Sequence, residues 1–258
     1  MMNAVALPET YPGRSSLAAY ALESKFEFLR VLRTPAFALP TLMFPPLFYL
    51  LFGLLLNRGN SNAAHYLFAT YSVFGVMAPS LFGFGVGIAI ERERGWLALK
   101  RVAPMPPGAY LLSKLVMAMV FAMIIYGILA AMAHGLGGVH LEACQWLLLG
   151  VIATIGVLPF CALGLMVGSR ANASGAPALI NLMYLPMAFL SGLWMPLSVL
   201  PAFIGQMAPL WPPYHLAQLS LATIGLGDGS ALLPHIGTLL GFTVLCFAIA
   251  RRWLARAS

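Results

Sequence analysis

The charged residues with the types and spacing to do work in this chain lie together in Ile90-Glu91-Arg92-Glu93-Arg94-Gly95-Trp96-Leu97-Ala98-Leu99-Lys100-Arg101-Val102-Ala103-Pro104. Glu91 and Glu93 at the front of a short helix, with Lys100 and Arg101 at its back, complement the helix dipole. Glu93 and Leu97 share a face with Lys100 or Arg101 one turn on, which stiffens the segment. The pattern describes a charged lever rather than a reaction centre. The plainer alternative is a solvated basic loop that only records which side of a membrane it occupies.

No catalytic set stands beside it. The chain has no G-x-x-x-x-G-K-[ST] sequence and so no phosphate-cradling loop; if ATP drives it, another polypeptide binds the ATP. Cys144, Cys161 and Cys246 lack metal-ligand spacing and read as buried apolar thiols. His65, His134, His140, His215 and His235 contain no i, i+4 pair of the kind that holds a metal on a helix, so no metal site is assigned.

The elements that must position the lever follow from composition. With 61% hydrophobic and 8% charged residues and a mean hydropathy of +0.89, the chain is an integral membrane protein. A crossing helix needs roughly 20 apolar residues. Six such spans are placed at 36–56, 67–90, 111–133, 144–167, 178–199 and 231–250, all helical. Basic residues collect on one side: Arg14, Lys25, Arg30 and Arg33 before span one; Arg92, Arg94, Lys100, Arg101 and Lys114 after span two; Arg170 after span four; Arg251, Arg252 and Arg256 after span six. Only Arg58 falls on the other. Both termini are therefore expected in the cytosol, and the net charge of +7 reflects topology and attraction to lipid headgroups rather than nucleic acid.

Residues 1–35 form a cytosolic arm, and 36–258 a single membrane domain. No apolar h-region with a cleavage site precedes Pro35, so the arm does not read as a signal peptide. From Ser15 to Thr34, Leu17, Ala21, Phe28 and Val31 fall near one helical face and Glu23, Glu27 and Arg30 on another, as in a helix lying at the membrane interface. With Lys114 counted to the loop, the spans contain no Asp, Glu, Lys or Arg, which argues against a proton-coupled carrier and leaves a sodium-coupled one disfavoured. Pro45-Pro46, Pro79, Pro159 and Pro186 can kink their helices. Gly83, Gly85 and Gly87 offer a small-residue face for subunit packing. The segment 195–230 is apolar and proline-rich, and reads as short helices dipping back into the outer leaflet, with Trp194, Trp211 and Trp146 in an outer aromatic belt.

Three blocks carry a family resemblance. Glu91-Arg92-Glu93-Arg94-Gly95-Trp96-Leu97, then Val102-Ala103-Pro104 and Lys114, resembles the E-x-E-x-G-T-L…P…K loop of the ABC-2 type membrane permeases. Leu29-Arg30-Val31-Leu32-Arg33-Thr34-Pro35 is similar to that family's approach to span one. Leu185-Pro186-Met187-Ala188-Phe189-Leu190-Ser191-Gly192-Leu193-Trp194-Met195-Pro196, with Leu200-Pro201 and Pro209, resembles its fifth span and re-entrant outer segment. Trp96 stands where the family has a small Thr, and Pro106-Pro107 adds a stiff turn.

The resemblance implies two permease copies working with two cytosolic ABC ATPase subunits. ATP and Mg²⁺ would sit on the partner, with no cofactor on this chain and no catalytic residue. The loop after span two would be the coupling helix, so Glu91, Arg92, Glu93, Arg94, Gly95, Trp96, Leu97 and Pro104 are the coupling candidates. The expected activity is export of an amphiphile (drug, lipid or lipid-linked glycan) across a bacterial inner membrane, with membrane lipids as further partners. The alternatives are an ATP-independent carrier or channel, and a haem-related subunit acting through His134 and His140.

Overall fold

A computed structural model of the protein describes residues 16–57, 59–96 and 108–256, and all regular structure among them is helical. Five helices are long and apolar enough to cross a membrane: Pro35–Leu55, Ser61–Glu93, Ala109–Gly135, Ala143–Gly168 and Leu232–Leu254. They correspond to expected spans one, two, three, four and six. In chain order the elements are α1 (Ser16–Leu32), α2 (Pro35–Phe48, extended by a π-helical stretch over Tyr49–Leu55), α3 (Ser61–Glu93) and α4 (Ala109–Gly135). Then come α5 (Ala143–Ile155), α6 (Val157–Gly168), α7 (Ala176–Leu190), α8 (Ala202–Met207), α9 (Pro212–Thr223) and α10 (Leu232–Arg256).

α3 is the axis of the bundle. It starts at Asn60, whose side chain accepts from the Ala63 amide at 3.1 Å, which is a standard N-cap. Of its most apolar window 78% is buried, against 17% for α10. It packs on α2, α4, α6 and α7. Pro159 lacks the N–H that would bond the Ile155 carbonyl, so the fourth span breaks at Gly156 into α5 and α6.

Three expectations change. The fifth span, expected over 178–199, is the 15-residue helix α7, about 22 Å long at 1.5 Å per residue and short of the ~30 Å hydrocarbon core. It stops because Gly192 adopts φ +74, with Gly192 N bonding Phe189 O and Leu193 N bonding Ala188 O, a Schellman ending. On α1 one residue departs from its expected face: Glu27, expected on the polar side, is 4% exposed, because α1 packs along α4 and Phe28 meets Phe121 at 5.5 Å. Trp194, expected in an outer belt, is only half-exposed: it stacks on Phe48 (5.9 Å), meets Phe74 edge-on (5.9 Å) and borders a cleft at the end of the bundle away from Glu91.

The segment 195–230 does form short helices. The first pieces are single turns at Leu197–Val199 and Ala208–Leu210 flanking α8. α9 lies against α3, α5 and α10. Cys161 and Cys246 are buried as expected, while Cys144 is exposed at the start of α5.

Candidate functional site

The root of the charged loop is a buried ionic cluster joining three helices. Lys114 on α4 is fully buried. Its Nζ lies 2.7 Å from Glu27 Oε1 on α1 and 3.0 Å from Glu91 Oε1 on α3. Arg30 Nη2 approaches the same two oxygens at 2.7 and 2.6 Å, and the Tyr110 hydroxyl donates to Glu91 Oε2 at 2.5 Å. Two cations and two carboxylates thus compensate one another where little water reaches them, and the Tyr110 hydroxyl adds a further donor to Glu91, the kind of support that such burial requires.

This corrects the expectation of spans free of ionisable residues. Lys114 lies within an apolar helix, five residues from its start. It is tolerated there because its charge is answered inside the protein. Glu91, expected among the residues that meet an ATPase, is 1% exposed. Its carboxylate is consumed by Lys114, Arg30 and Tyr110, so it anchors the loop and has no free face for a partner.

The next residues hold the loop from a second side. Arg92 donates through Nη1 to Ser169 O and through Nη2 to Ala171 O, the latter at 2.6 Å. Glu93 Oε2 accepts from the Ala173 amide at 2.6 Å. Residues 169–173 are the turn between α6 and α7. Beyond these anchors the chain turns through Gly95 (φ +74), and Arg94 and Trp96 are exposed, the guanidinium 5.4 Å from the indole centroid. Leu97 and Pro104, with Lys100 and Arg101, lie outside the described residues, as does Arg58. The same end of the bundle brings Arg170 over Trp253 at 5.0 Å. Basic residues from α1, α3, α4 and the α6–α7 turn, with the end of α10, therefore share one end.

The glycines expected to pack subunits together also lie close to helices of their own chain, and Gly83 and Gly87 line a cleft beside α1. A Cβ on Gly83 would meet Met117 Cε at 2.7 Å. One on Gly85 would meet Ile180 Cδ1 at 2.7 Å, and one on Gly87 would meet Lys114 Nζ at 3.3 Å. Their small size serves α3's contacts with α4 and α7 of the same chain. The close-approach pair that the sequence reading passed over is Gly164 and Gly168 on α6, spaced i, i+4 as in other small-x-x-x-small crossings. Their missing Cβ positions lie 2.9 Å from Leu81 O and 2.5 Å from Gly85 O.

At the opposite end, His215 on α9 and His235 on α10 meet Nδ1 to Nδ1 at 2.8 Å. His215 Nε2 lies 2.9 Å from Pro209 O and so carries a proton, and the Ser230 hydroxyl lies 2.7 Å from His235 Nε2. One assignment satisfies every bond with both rings neutral: Ser230 donates to His235, His235 to His215, and His215 to Pro209. Tyr214 and Asp228, themselves bonded at 2.9 Å, complete the surroundings. Burial lowers the pKa of His215 from 6.5, and the neighbouring His235 lowers it further. The neutral ring is thus the one the fold favours, and the unfolded chain takes up the proton first. The stabilisation that this hydrogen-bonded chain gives is full above about pH 6.5 and is lost as pH falls below it. Thermal midpoints should drop between pH 7.5 and 5.5, and by less in His215→Gln. Among the described residues no three His, Cys, Asp or Glu side chains converge as metal ligands. His134 and His140 lie 5.7 Å apart, ring to ring.

Comparison with known proteins matches residues 20–224 to the family described as ABC-2 type transporter. A Bacillus subtilis (strain 168) protein carrying the provisional name transport permease YvfS is 28% identical over 238 residues, covering 91% of this chain and 96% of its own length.

Proposed function

The chain belongs to the ABC-2 type transporter family, and on that premise we propose that it is the membrane subunit of an ATP-driven exporter worked by a separate cytosolic ATPase. As a member it is a multi-pass membrane transport subunit rather than an enzyme. In the proposed arrangement the basic end faces the cytosol of a bacterial cell across its inner membrane, in keeping with the distribution of Lys and Arg. Two ATPase copies carrying ATP and Mg²⁺ work on two permease copies, and membrane lipids surround them.

The observation that carries this reading is the construction of the loop: anchored at Glu91, Arg92 and Glu93, exposed at Arg94 and Trp96. A force applied at the exposed tip reaches α1 and α4 through the ionic cluster, and α6 and α7 through the 169–173 turn. A loop that served only as a topology signal would have no use for these anchors. The ends of α1, α4, α6 and α7 then move together, which is what rocking between two access states requires.

The route we assign runs between α2, α3 and α7, the first, second and fifth expected spans. Aromatic rings follow one another there: Phe82 to Tyr184 (6.2 Å), Tyr184 stacked on Phe74 (5.1 Å), Phe74 to Trp194 (5.9 Å), and Trp194 through Phe48 to Phe52 (5.9 Å each). Phe52 and Trp194 border a cleft of about 690 Å³ at the far end, with Asn57, Asn60 and Tyr66. An apolar route with a polar exit suits an amphiphile.

The test uses the permease co-expressed with its ATPase and reconstituted. Glu93→Ala removes one exposed anchor and should leave the complex assembled while lowering substrate moved per ATP hydrolysed at least tenfold. Trp96→Ala should reduce co-purification of the ATPase. Unchanged coupling in Glu93→Ala together with unchanged association in Trp96→Ala removes the lever from the mechanism. Gradient-driven flux by the permease alone would favour a carrier instead.

A further inference from the structure

We infer that the cleft between α1, the start of α2 and the basic end of α3 is a binding site for a single-tailed anionic amphiphile, its head at Arg94 and its tail along the wall that the paired rings of Phe37 and Phe82 form. This goes further than the transport reading and rests on it only for the claim that the bound molecule is cargo.

The cleft holds about 420 Å³, within the usual range for small-molecule sites. Its two ends differ in chemistry. One is apolar: Val31, Phe37, Phe82 and Val86 form its walls, and the two rings stand 6.1 Å apart, centroid to centroid. The other is ionic, with Glu27, Arg30, Glu91 and Arg94. A molecule apolar along its length and charged at one end fits that gradient. A wholly apolar or wholly polar one leaves one end mismatched.

The sign of the head follows from charge balance. Glu27 and Glu91 are answered by Lys114 and Arg30 at 2.6–3.0 Å. Among the described lining residues this leaves Arg94 in excess, lying against Trp96 rather than against a carboxylate. A carboxylate or phosphate gains a charge-assisted bond to its guanidinium. A cation finds both acids already paired. Volume limits the tail. A methylene occupies about as much space as a water molecule, about 30 Å³, so the cleft takes a chain of roughly a dozen carbons, and a two-chain phospholipid overfills it.

The probe is 11-bromoundecanoic acid, whose chain matches that length, titrated at pH 8 into purified permease in phosphatidylcholine nanodiscs, with the quenching of tryptophan emission by its bromine as the signal, Trp96 being one of the cleft's lining residues. Its methyl ester has the same tail and no charge. The acid should bind at least tenfold tighter than the ester, Arg94→Glu should erase that difference, and Val86→Phe, which narrows the cleft, should weaken both. Thr34→Phe, on the α1–α2 wall, provides the same block should Val86→Phe fail to fold. Equal affinities for acid and ester overturn the proposal. So does acid binding within twofold of wild type in Arg94→Glu, or a signal no larger than that of empty nanodiscs. Binding is read without the ATPase. Acid bound but not exported by the reconstituted complex keeps the site and removes its role as a cargo site. Export of another substrate with no acid binding removes the site and leaves the exporter standing.

Discussion

Lys114→Met is expected to empty the membrane of folded protein. The substitution leaves Glu27 and Glu91, 4% and 1% exposed, facing each other with only Arg30 between them, and the Arg30 side chain is 40% exposed and sits at the cluster's edge. Removing one partner of a buried pair typically costs about 3–5 kcal/mol, because the charge left behind is neither solvated nor paired. That is a large part of the roughly 5–15 kcal/mol by which domains are stable. Lost packing is not the cause, since methionine nearly matches the lysine in shape. The double variant Lys114→Met, Glu91→Gln removes the one surplus negative charge and leaves Glu27 paired with Arg30 at 2.7 Å, so it should recover most of the folded yield, read by size-exclusion chromatography of detergent extracts before and after heating. Failure of the double variant to recover, with the single variant equally poor, would mean that the site needs the lysine for a reason other than charge.

The same cluster shows what the sequence conveyed and where it fell short. Apolar runs and basic ends located five spans, because a run of roughly 20 apolar residues has few other uses. Gly192 in Ser191-Gly192 is a helix-stop signal, but the apolar residues on both sides mask it, so the expected fifth span runs past the end of α7. Lys114 reads as a loop residue, because basic residues collect in short cytosolic loops. That its countercharges would come from Glu27 and Glu91, 87 and 23 residues away, depends on α1 folding back along α4, which no local pattern announces. For the same reason Glu27 was placed on the wet face of α1. The charged loop was legible as the important element, yet its inward and outward members were not distinguishable. Glu91 and Glu93 share a residue type and lie two positions apart, and only the helix phase of α3 sends one into the cluster and the other to the 169–173 turn.

A single methyl group at Gly168 should have a comparable effect through packing alone. The Cβ of an alanine there would stand 2.5 Å from Gly85 O and 2.8 Å from Phe84 O. At Gly164 it would meet Leu81 O at 2.9 Å and Phe84 Cβ at 3.0 Å. The obstacles are chiefly backbone atoms of α3, which have no rotamer to change, so α6 and α3 must separate along their whole contact. Overpacking of this kind costs about 1–3 kcal/mol, and the β-branched Gly168→Val should cost more than Gly168→Ala. Gly127, Gly237 and Gly241 lie in the helices α4 and α10 with nothing within 4 Å of an added Cβ. Alanine there should be neutral or stabilise by about 0.5–1 kcal/mol, since it reduces the freedom of the unfolded chain. Thermal midpoints of the five variants should therefore split by position rather than by the residue introduced. If Gly168→Ala matches Gly127→Ala, the close crossing is wrong. The consequence reaches the charged loop as well. α6 runs directly into the turn that receives Arg92 and Glu93, while α3 carries those two residues, so a wedge between the helices pulls the anchor from its socket. Any Gly168→Ala protein that still folds should then hydrolyse ATP with its partner yet move less substrate per ATP, as expected for Glu93→Ala, though the altered atom lies on another helix.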